Sequence, residues 1–592
     1  MRRVLLLVVL LAAVATPARA AGLPRLSVDR GGPRPAIVDA DGREVLLRGI
    51  NVQQLGDYFQ ADPAQRTTFP LAREDFAGIR RLGFDAVRLT MSWSALQPAR
   101  GAFDAAYVAR VREAVGWAEA EGLYVVLDMH QDAWGKAIAT KPGEACPPGL
   151  APAVGWDGAP EWATVTDGLS TCRAANTREL SPAVARAFDA FYLDRDGIQA
   201  ELVATWGRLA REFGGDPGIA GYDLFNEPHP GTGVGVNEGA PLGRYYAAAI
   251  QAIRAGERAA PGGFAHPVFF EPSVLWSGAG TDTLPPPGFS ADPQIVFAPH
   301  VYAESITLDR NAGLTAVSVE QGWENARRAA AAYGAPLWSG EWGWFGKPED
   351  DLGKLERYAA QEDGSLAGGA WWVWRQACGD PHVVGYPGAS GSLNRYDCPG
   401  DRPLGLAEPF VRVLSRAAPR FAPGRLERIA SDHRTGAFAV AGRRGRGACE
   451  VEVWVPGAAP PSLSGENVTA LGAARVPGGW LATGCAGEGR WALSGRAGTA
   501  AAAAPPSAKP PCRSRRRVTV ALPIRRRVKL RRITVRVNGK RVRRLRGDRR
   551  RVRVDFRGRP KGRVVVRIVA QARGGRRYEE RREYRLCVPG RR

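Results

Sequence analysis

Eight short apolar runs, each followed by a stretch of helical periodicity, predict a (β/α)8 barrel over residues 21–418 of this 592-residue chain. Two later changes of pattern extend this α/β class into three domains. After Ala418 the helical stretches stop and short alternating runs with Gly and Pro turns begin, which predicts a small β-sandwich over 419–496. Beyond an Ala/Pro linker at 497–511, Arg alternates with Val or Ile, which predicts a second, strongly basic β-domain over 512–592.

The first residues, MRRVLLLVVLLAAVATPARA, combine a basic start, an apolar run and small residues at Ala18 and Ala20. They predict a signal peptide over 1–20, cut after Ala20, and hence an exported protein, secreted or retained at the cell surface. The apolar run is shorter than the ~20 residues needed to span a bilayer. Export places the eight cysteines in an oxidising compartment, where their local couples (146 with 172, 378 with 398, 449 with 485, 512 with 587) predict four disulfides. None has the CxxC spacing or neighbouring His pair of a zinc site.

The barrel runs are EVLLRGIN (44–51), DAVRLTM (85–91), YVVLDMH (124–130), IAGYDLFNE (219–227), PVFFEPS (267–273), IVFAPHVY (295–302), PLWSGEWG (336–343) and GGAWWVW (368–374). Their near-continuous apolarity fits strands buried on both faces. Helical patterns, such as that at Asp104–Ala120, separate the runs. The interval between the third and fourth runs is far longer than one crossover helix requires, and it holds Cys146 and Cys172, so it reads as a disulfide-pinned region over the barrel mouth.

Charge separates the chain into unlike parts. The net charge is +23, but residues 509–592 alone carry 34 basic and 5 acidic side chains, which leaves the remainder slightly acidic. Asn538-Gly539 marks a hairpin turn in this segment, and Phe556, Tyr578 and Tyr584 are its only aromatics, too few for a base-stacking surface. No nucleic-acid partner is expected; an anionic cell-envelope polymer or lipid surface fits the charge better.

Reacting groups of such barrels sit at the C-terminal ends of the strands. Those ends carry Arg88, His130 and Asp132, Asn226 and Glu227, His300 and Tyr302, Glu341, and Trp372 and Trp374. Glu227 and Glu341, on the fourth and seventh runs, form the carboxylate pair that glycoside hydrolysis needs: one protonates the leaving oxygen, the other attacks the anomeric carbon or activates water.

In the order VRLTMSW, LDMHQD, DLFNEP, APHVY and SGEWG, these motifs resemble glycoside hydrolase family 5, the cellulase-like clan of retaining barrel enzymes. The resemblance implies Glu227 as general acid/base and Glu341 as nucleophile. It further implies that Asn226 holds the 2-hydroxyl of the reacting sugar, that Arg88 and Tyr302 orient and keep ionised the nucleophile, and that His130 and His300 complete the wall. A strand-eight tryptophan would stack on the sugar, Trp372 aligning better than Trp374. A catalytic acid should be held protonated and the nucleophile ionised, so Glu227 is expected to titrate high and Glu341 low. LDMHQDAW, GAPEWAT and YDLFNEP are similar to the endoglycoceramidase branch, where Asp132 contacts the sugar and Trp162 lies near the mouth. The implied activity is release of the glycan from ceramide, with neither metal nor cofactor; the alternatives are a β-glucanase or exo-β-glucosidase of the same family and, more remotely, a non-catalytic carbohydrate-binding adhesin.

Overall fold

The computed structural model describes residues 22–498 and 516–586, apart from 175–176, 233–238, 277–279, 281–283, 307–315, 383–384, 526, 558 and 560–561. The leader at 1–20, Cys512, Cys587 and residues 499–511 of the linker lie outside the described residues. Among the described residues no helix is long and apolar enough to cross a membrane. The chain divides into two compact units, Met1–Thr499 and Ala500–Arg592.

Unit 1 contains eight parallel strands, β1 (Arg48–Val52), β2 (Ala86–Ser92), β3 (Tyr124–His130), β4 (Ile219–Asp223), β5 (Val268–Phe270), β6 (Ile295–Phe297), β7 (Trp338–Trp342) and β8 (Gly368–Trp371). Each pairs with its sequence neighbour, β8 pairs back onto β1, and a parallel bridge between Phe297 and Leu337 joins β6 to β7 and closes the barrel. Every residue of β1, β2, β3, β4 and β7 is buried, as expected of strands covered by helices outside and filled by side chains inside. The helix at Ala105–Ala120 starts where Asp104 accepts hydrogen bonds from the backbone of Ala106 and Tyr107, satisfying two orphan donors; Val108, Val111, Val115 and Ala118 then face the core.

The segment between β3 and β4 is built as the cysteines suggest. Cys146 and Cys172 are bonded, with Cα atoms 5.7 Å apart, next to a two-residue ladder of Leu150–Ala151 with Arg173–Ala174. A bridge between Asp132 and Asp157 ties this insert to the end of β3. Cys378–Cys398 and Cys449–Cys485 are likewise bonded.

The boundary at residue 418 does not cut the chain cleanly. Strands Leu26–Asp29, Ala36–Asp39 and Arg43–Glu44, assigned by the sequence pattern to the barrel domain, continue a sheet whose other members are Ala418–Pro423, Val468–Val476, Glu450–Pro456 and Gly479–Ala486. The connection is the antiparallel pair Ala422–Glu44, and it follows from what each side needs. Glu44 is buried, and its carboxylate accepts from Arg34 and from the backbone of Leu426 at 2.9 Å, while Leu26, Val28 and Ile37 cover the barrel floor formed by Ala86, Tyr124, Ala220 and Trp338. A second sheet, of Arg425–Ser431, Ala437–Arg444, Gly489–Gly498 and Ala459–Glu466, completes a sandwich around Phe438, Val453, Trp491 and Leu493.

Unit 2 is a smaller sandwich of β9 (Arg517–Ala521), β10 (Leu530–Val537), β11 (Lys540–Arg546), β12 (Arg551–Asp555), β13 (Gly562–Ala572) and β14 (Arg577–Leu586). One sheet runs β11-β10-β13-β14 and the other pairs β9 with β12. Ile533, Val535, Val554, Phe556, Val566 and Ile568 form its core, and the hairpin between β10 and β11 turns at Asn538 and Gly539, both with positive φ.

Candidate active site

The site is organised around one guanidinium. Arg88, on β2, has no exposed side-chain surface, and it donates to Asp223 (2.8 Å), Glu341 (2.7 Å), Glu271 (2.9 Å), Asn226 (3.0 Å) and Asn51 (3.2 Å), with Asp128 at 2.9 Å. Burial opposes its charge, but Asp128, Asp223, Glu341 and Glu271 outweigh that and hold it protonated far above its ordinary range. Five strands thus aim their polar ends at the same point because each would otherwise bury an unpaired group.

Glu227 and Glu341 meet at His300. One oxygen of each carboxylate and a ring nitrogen of His300 lie within 4.8 Å of one another, with His300 Nδ1 at 2.9 Å from Glu227 and 3.6 Å from Glu341. Tyr302 donates to that same Oε2 of Glu341 at 3.0 Å, while Arg88 holds Oε1. Glu227 has a φ of 38°, in the left-handed region that costs a non-glycine residue ~1–2 kcal/mol. The strain is held from both sides: its N–H donates to Glu271 (2.9 Å), and Gln131 donates to its carbonyl (3.0 Å). Asn226 is equally fixed, its carbonyl oxygen on Arg88 and one amide hydrogen on the Gln131 carbonyl (3.0 Å), leaving the second amide hydrogen for a ligand.

The remaining expected residues fall on the same rim. His130 bonds Asp128 through Nδ1 (2.7 Å) and stacks on Trp372, ring centroids 5.4 Å apart. Asp132 faces Arg178 at 2.6 Å and also contacts His382. Trp374 is elsewhere: its indole donates to Asp75 (2.9 Å), on the helix after β1, so Trp372 alone of the two lines the site. Trp162 is likewise taken up by packing, donating to the Gln97 carbonyl (3.0 Å) and lying edge-on to Trp93. The insert's contribution is instead Trp156, which touches His382 and carries Arg178 over its face at 4.8 Å.

Sequence reading of strand ends alone missed Asp128, Asp223 and Glu271, which lie in or just past the apolar runs YVVLDMH, IAGYDLFNE and PVFFEPS. A carboxylate in a buried run must find a cation, and that cue was present. Arg178, Asp157 and His382 stand on irregular segments and carried no periodic signal. Arg178 contacts Glu227 (3.0 Å) as well as Asp132.

The expected titration order is reversed. Burial raises Glu227, but the hydrogen bond and charge of His300, then Arg178, outweigh it and hold the carboxyl below its usual range. Burial dominates at Glu341 and pushes it up, against His300 and Arg88, with Glu227 adding to the rise. His300 itself is held well above the imidazole range by Glu271, Glu341 and Glu227, despite burial. The resting site therefore keeps its proton on His300, between the two carboxylates. Glu271, buried beside Asp223, is pushed up to about 8, so the carboxylates around Arg88 are not all ionised at neutral pH.

His130, Asp132, Asp157 and His382 also bring ligating atoms within 4.8 Å of one another, a donor set of the kind that holds a divalent cation. In this chain the guanidinium of Arg178 already supplies a positive charge to Asp132.

A parallel eight-stranded barrel with two close rim carboxylates has the parts a glycoside hydrolase needs, and residues 38–377 match the family described as Cellulase (glycosyl hydrolase family 5); the chain belongs to that family of glycoside hydrolases. The crystal structure of an endogalactoceramidase is similar, 48% identical with a TM-score of 0.72 over 80% of this chain and 100% of that one. Endoglycoceramidase I of Rhodococcus hoagii is 34% identical over 284 residues, 45% of this chain and 51% of that protein. The chain spans about half the length of the curated relatives it matches. The fold is shared with endo-glycoceramidase II from Rhodococcus sp. in a complex with ganglioside GM3, at 22% identity and a TM-score of 0.59 over 78% of this chain and 100% of that one.

Proposed function

We propose that this protein is a retaining glycosidase that releases the glycan from ceramide in glycosphingolipids. The observation that carries the mechanism is the approach of Glu227 and Glu341 within 4.8 Å across His300. Retaining enzymes hold their carboxyl groups ~5–5.5 Å apart, whereas inverting enzymes need ~6.5–9.5 Å to admit a water. The relatives named for ceramide glycolipids support the substrate class, and the 48% identity to an endogalactoceramidase makes galactose-bearing glycolipids the first to assay.

Glu341 attacks the anomeric carbon as the bond to the ceramide oxygen breaks, and Glu227 gives that oxygen its proton. His300 supplies that proton to Glu227 beforehand along the 2.9 Å contact; moving it from imidazolium to carboxylate leaves the pair's net charge unchanged, and Glu227 is left ionised once the leaving oxygen has taken the proton. Arg88 and Tyr302 keep the attacking oxygens of Glu341 aligned. Once the ester forms, Glu341 no longer carries charge, and Glu227 takes a proton from the water that attacks the same carbon. The two inversions return the β configuration. Trp372 and Asn226 position the sugar, the latter through its remaining amide hydrogen. Export, and retention at the cell surface, are part of this reading and rest on the leader sequence.

Incubation with detergent-dispersed glycosphingolipids and β-glucans decides the substrate. Intact oligosaccharide plus ceramide is expected; free glucose alone would make the protein an exo-glucosidase, and β-glucan cleavage a glucanase. Glu227→Gln should abolish glycolipid cleavage yet allow an aryl glycoside with an acidic leaving group to glycosylate the enzyme, with azide restoring turnover and configuration retained. Glu341→Gln should show no such rescue. Full glycolipid activity in either variant refutes the assignment.

A further inference from the structure

The outer face of the four-stranded sheet in unit 2 carries a row of arginines that crosses every strand. Arg541 of β11 lies opposite Arg536 of β10, Arg536 opposite Arg567 of β13, and Arg567 opposite Arg581 of β14. All four are exposed, and neighbouring strands place them ~4.8 Å apart. Arg532 opposite Arg546 forms a further such pair, two outward positions along β10. Like charges directly opposite one another in a sheet destabilise it, and four such pairs on one face work against the fold of a small domain. The carboxylates recorded on this face, Glu579 with Arg567 and Glu583 with Arg563 and Arg581, leave most of the charge uncompensated.

The face also shows what it is unsuited to hold. Phe556 is fully buried, Tyr584 packs against it, and Tyr578 opposes Ala570 of the core, so among the described residues the outer face presents no aromatic ring on which a base can stack. Val565 and Val569 lie between the arginines on the same face, half-buried. Planar guanidinium forks bind phosphate in pairs of parallel hydrogen bonds, and a broad open face meets a planar array of phosphates better than it encloses a single strand of polymer.

We propose that this face docks on the phosphate headgroups of an anionic lipid bilayer. The membrane as location of the glycolipid rests on the reading of the barrel given above; the docking itself does not.

The test is co-sedimentation of the full chain with phosphatidylcholine vesicles containing about 30 mol% phosphatidylglycerol, and with phosphatidylcholine alone, no glycolipid being present. Retention is expected on the anionic vesicles only, falling steeply with salt as exposed charges are screened within ~8 Å at physiological ionic strength. Replacing Arg536, Arg541, Arg567 and Arg581 together by Gln should lower partitioning about a hundredfold or more. A control that removes the same charge from the other sheet and the loop before it, at Arg517, Arg549, Arg551 and Arg553, should lower it far less. If the first variant does not fold, as read by its thermal transition, the corresponding Lys variant keeps the charge and should retain binding. Equal losses in the two Gln variants, salt-insensitive retention, equal binding to neutral vesicles, or capture by duplex DNA that vesicles fail to displace would each overturn the proposal. Hydrolysis of dispersed glycolipid should be unchanged in the first variant. Vesicle binding with no glycolipid hydrolysis refutes the barrel reading and leaves docking intact; hydrolysis without vesicle binding does the reverse.

Discussion

Arg88 and the arginines of the unit 2 face are the same side chain under opposite conditions. Arg88 is sealed from water and met by four carboxylates within 2.9 Å; Arg536, Arg541, Arg567 and Arg581 are exposed and stand opposite one another. In the first setting, a low effective dielectric makes each partner decisive, and deletion of one leaves an uncompensated buried charge. In the second, water and salt reduce every pair to a fraction of a kcal/mol, and only the sum over the face acts on anything. Chemistry in this molecule therefore hangs on single residues in unit 1, and surface attraction on a number of residues in unit 2.

The sharpest way to break that contrast is Arg88→Met. With Asp223 left buried and without its cation, and Asp128 and Glu271 stripped of the guanidinium, a loss of about 3–5 kcal/mol is expected, read as a lower midpoint in urea and an absence of glycolipid turnover. A variant as stable as the parent would mean that the buried carboxylates do not depend on Arg88.

Opening the disulfide of the insert, by Cys146→Ser with Cys172→Ser, releases a 26-residue separation and should cost ~2–4 kcal/mol of local stability. Because Arg178 and Trp156 reach the site from this insert, glycolipid turnover should fall more than aryl-glycoside turnover. Equal losses on both substrates would confine the insert to a supporting role.

Arg178→Gln tests the link between insert and acid/base more finely. Arg178 holds Glu227 low, so its removal should raise Glu227 and move the alkaline limb of kcat/KM to higher pH, with a ~10-fold loss in rate from the displaced Asp132. An unmoved limb would show that His300 alone sets the proton on Glu227.

Glu271→Gln addresses the pH dependence of stability. Glu271 keeps its proton to about 8, whereas an unfolded glutamate releases it near its ordinary 4.5, so the stability it contributes is complete below that lower value and is lost as pH rises through about 8. The Gln variant should show a flatter dependence of Tm on pH between those limits; an unchanged slope would place the proton elsewhere in the cluster. Smallest of all, Arg536→Gln alone should change stability by under ~0.5 kcal/mol, upward if anything, because it relieves two like-charge pairs.

The barrel was legible in the sequence because its strands are apolar on both faces and its rim residues sit at predictable offsets from those runs. Glu227, Glu341, Arg88, His130, Asn226, His300 and Tyr302 all converge on one rim. Arg178 and His382 were not legible, since loops bring them in through turns that leave no periodicity. The order of the carboxyl pKa values was misread for a different reason: it depends on His300 standing between both glutamates and on a guanidinium from the insert, neither of which follows from strand order. The N-terminal hairpins were assigned to the wrong layer because their pairing partner lies nearly the length of the barrel away in sequence.

That last pairing bears on how the protein is made. Residues 26–44 leave the ribosome long before the strand that receives them, which ends at Pro423, and β1 waits for β8 to close the barrel. At ~5–20 residues per second, the first strands pass roughly 20–80 s without their partners. A version shortened at residue 418 would leave Glu44 without the strand that buries it.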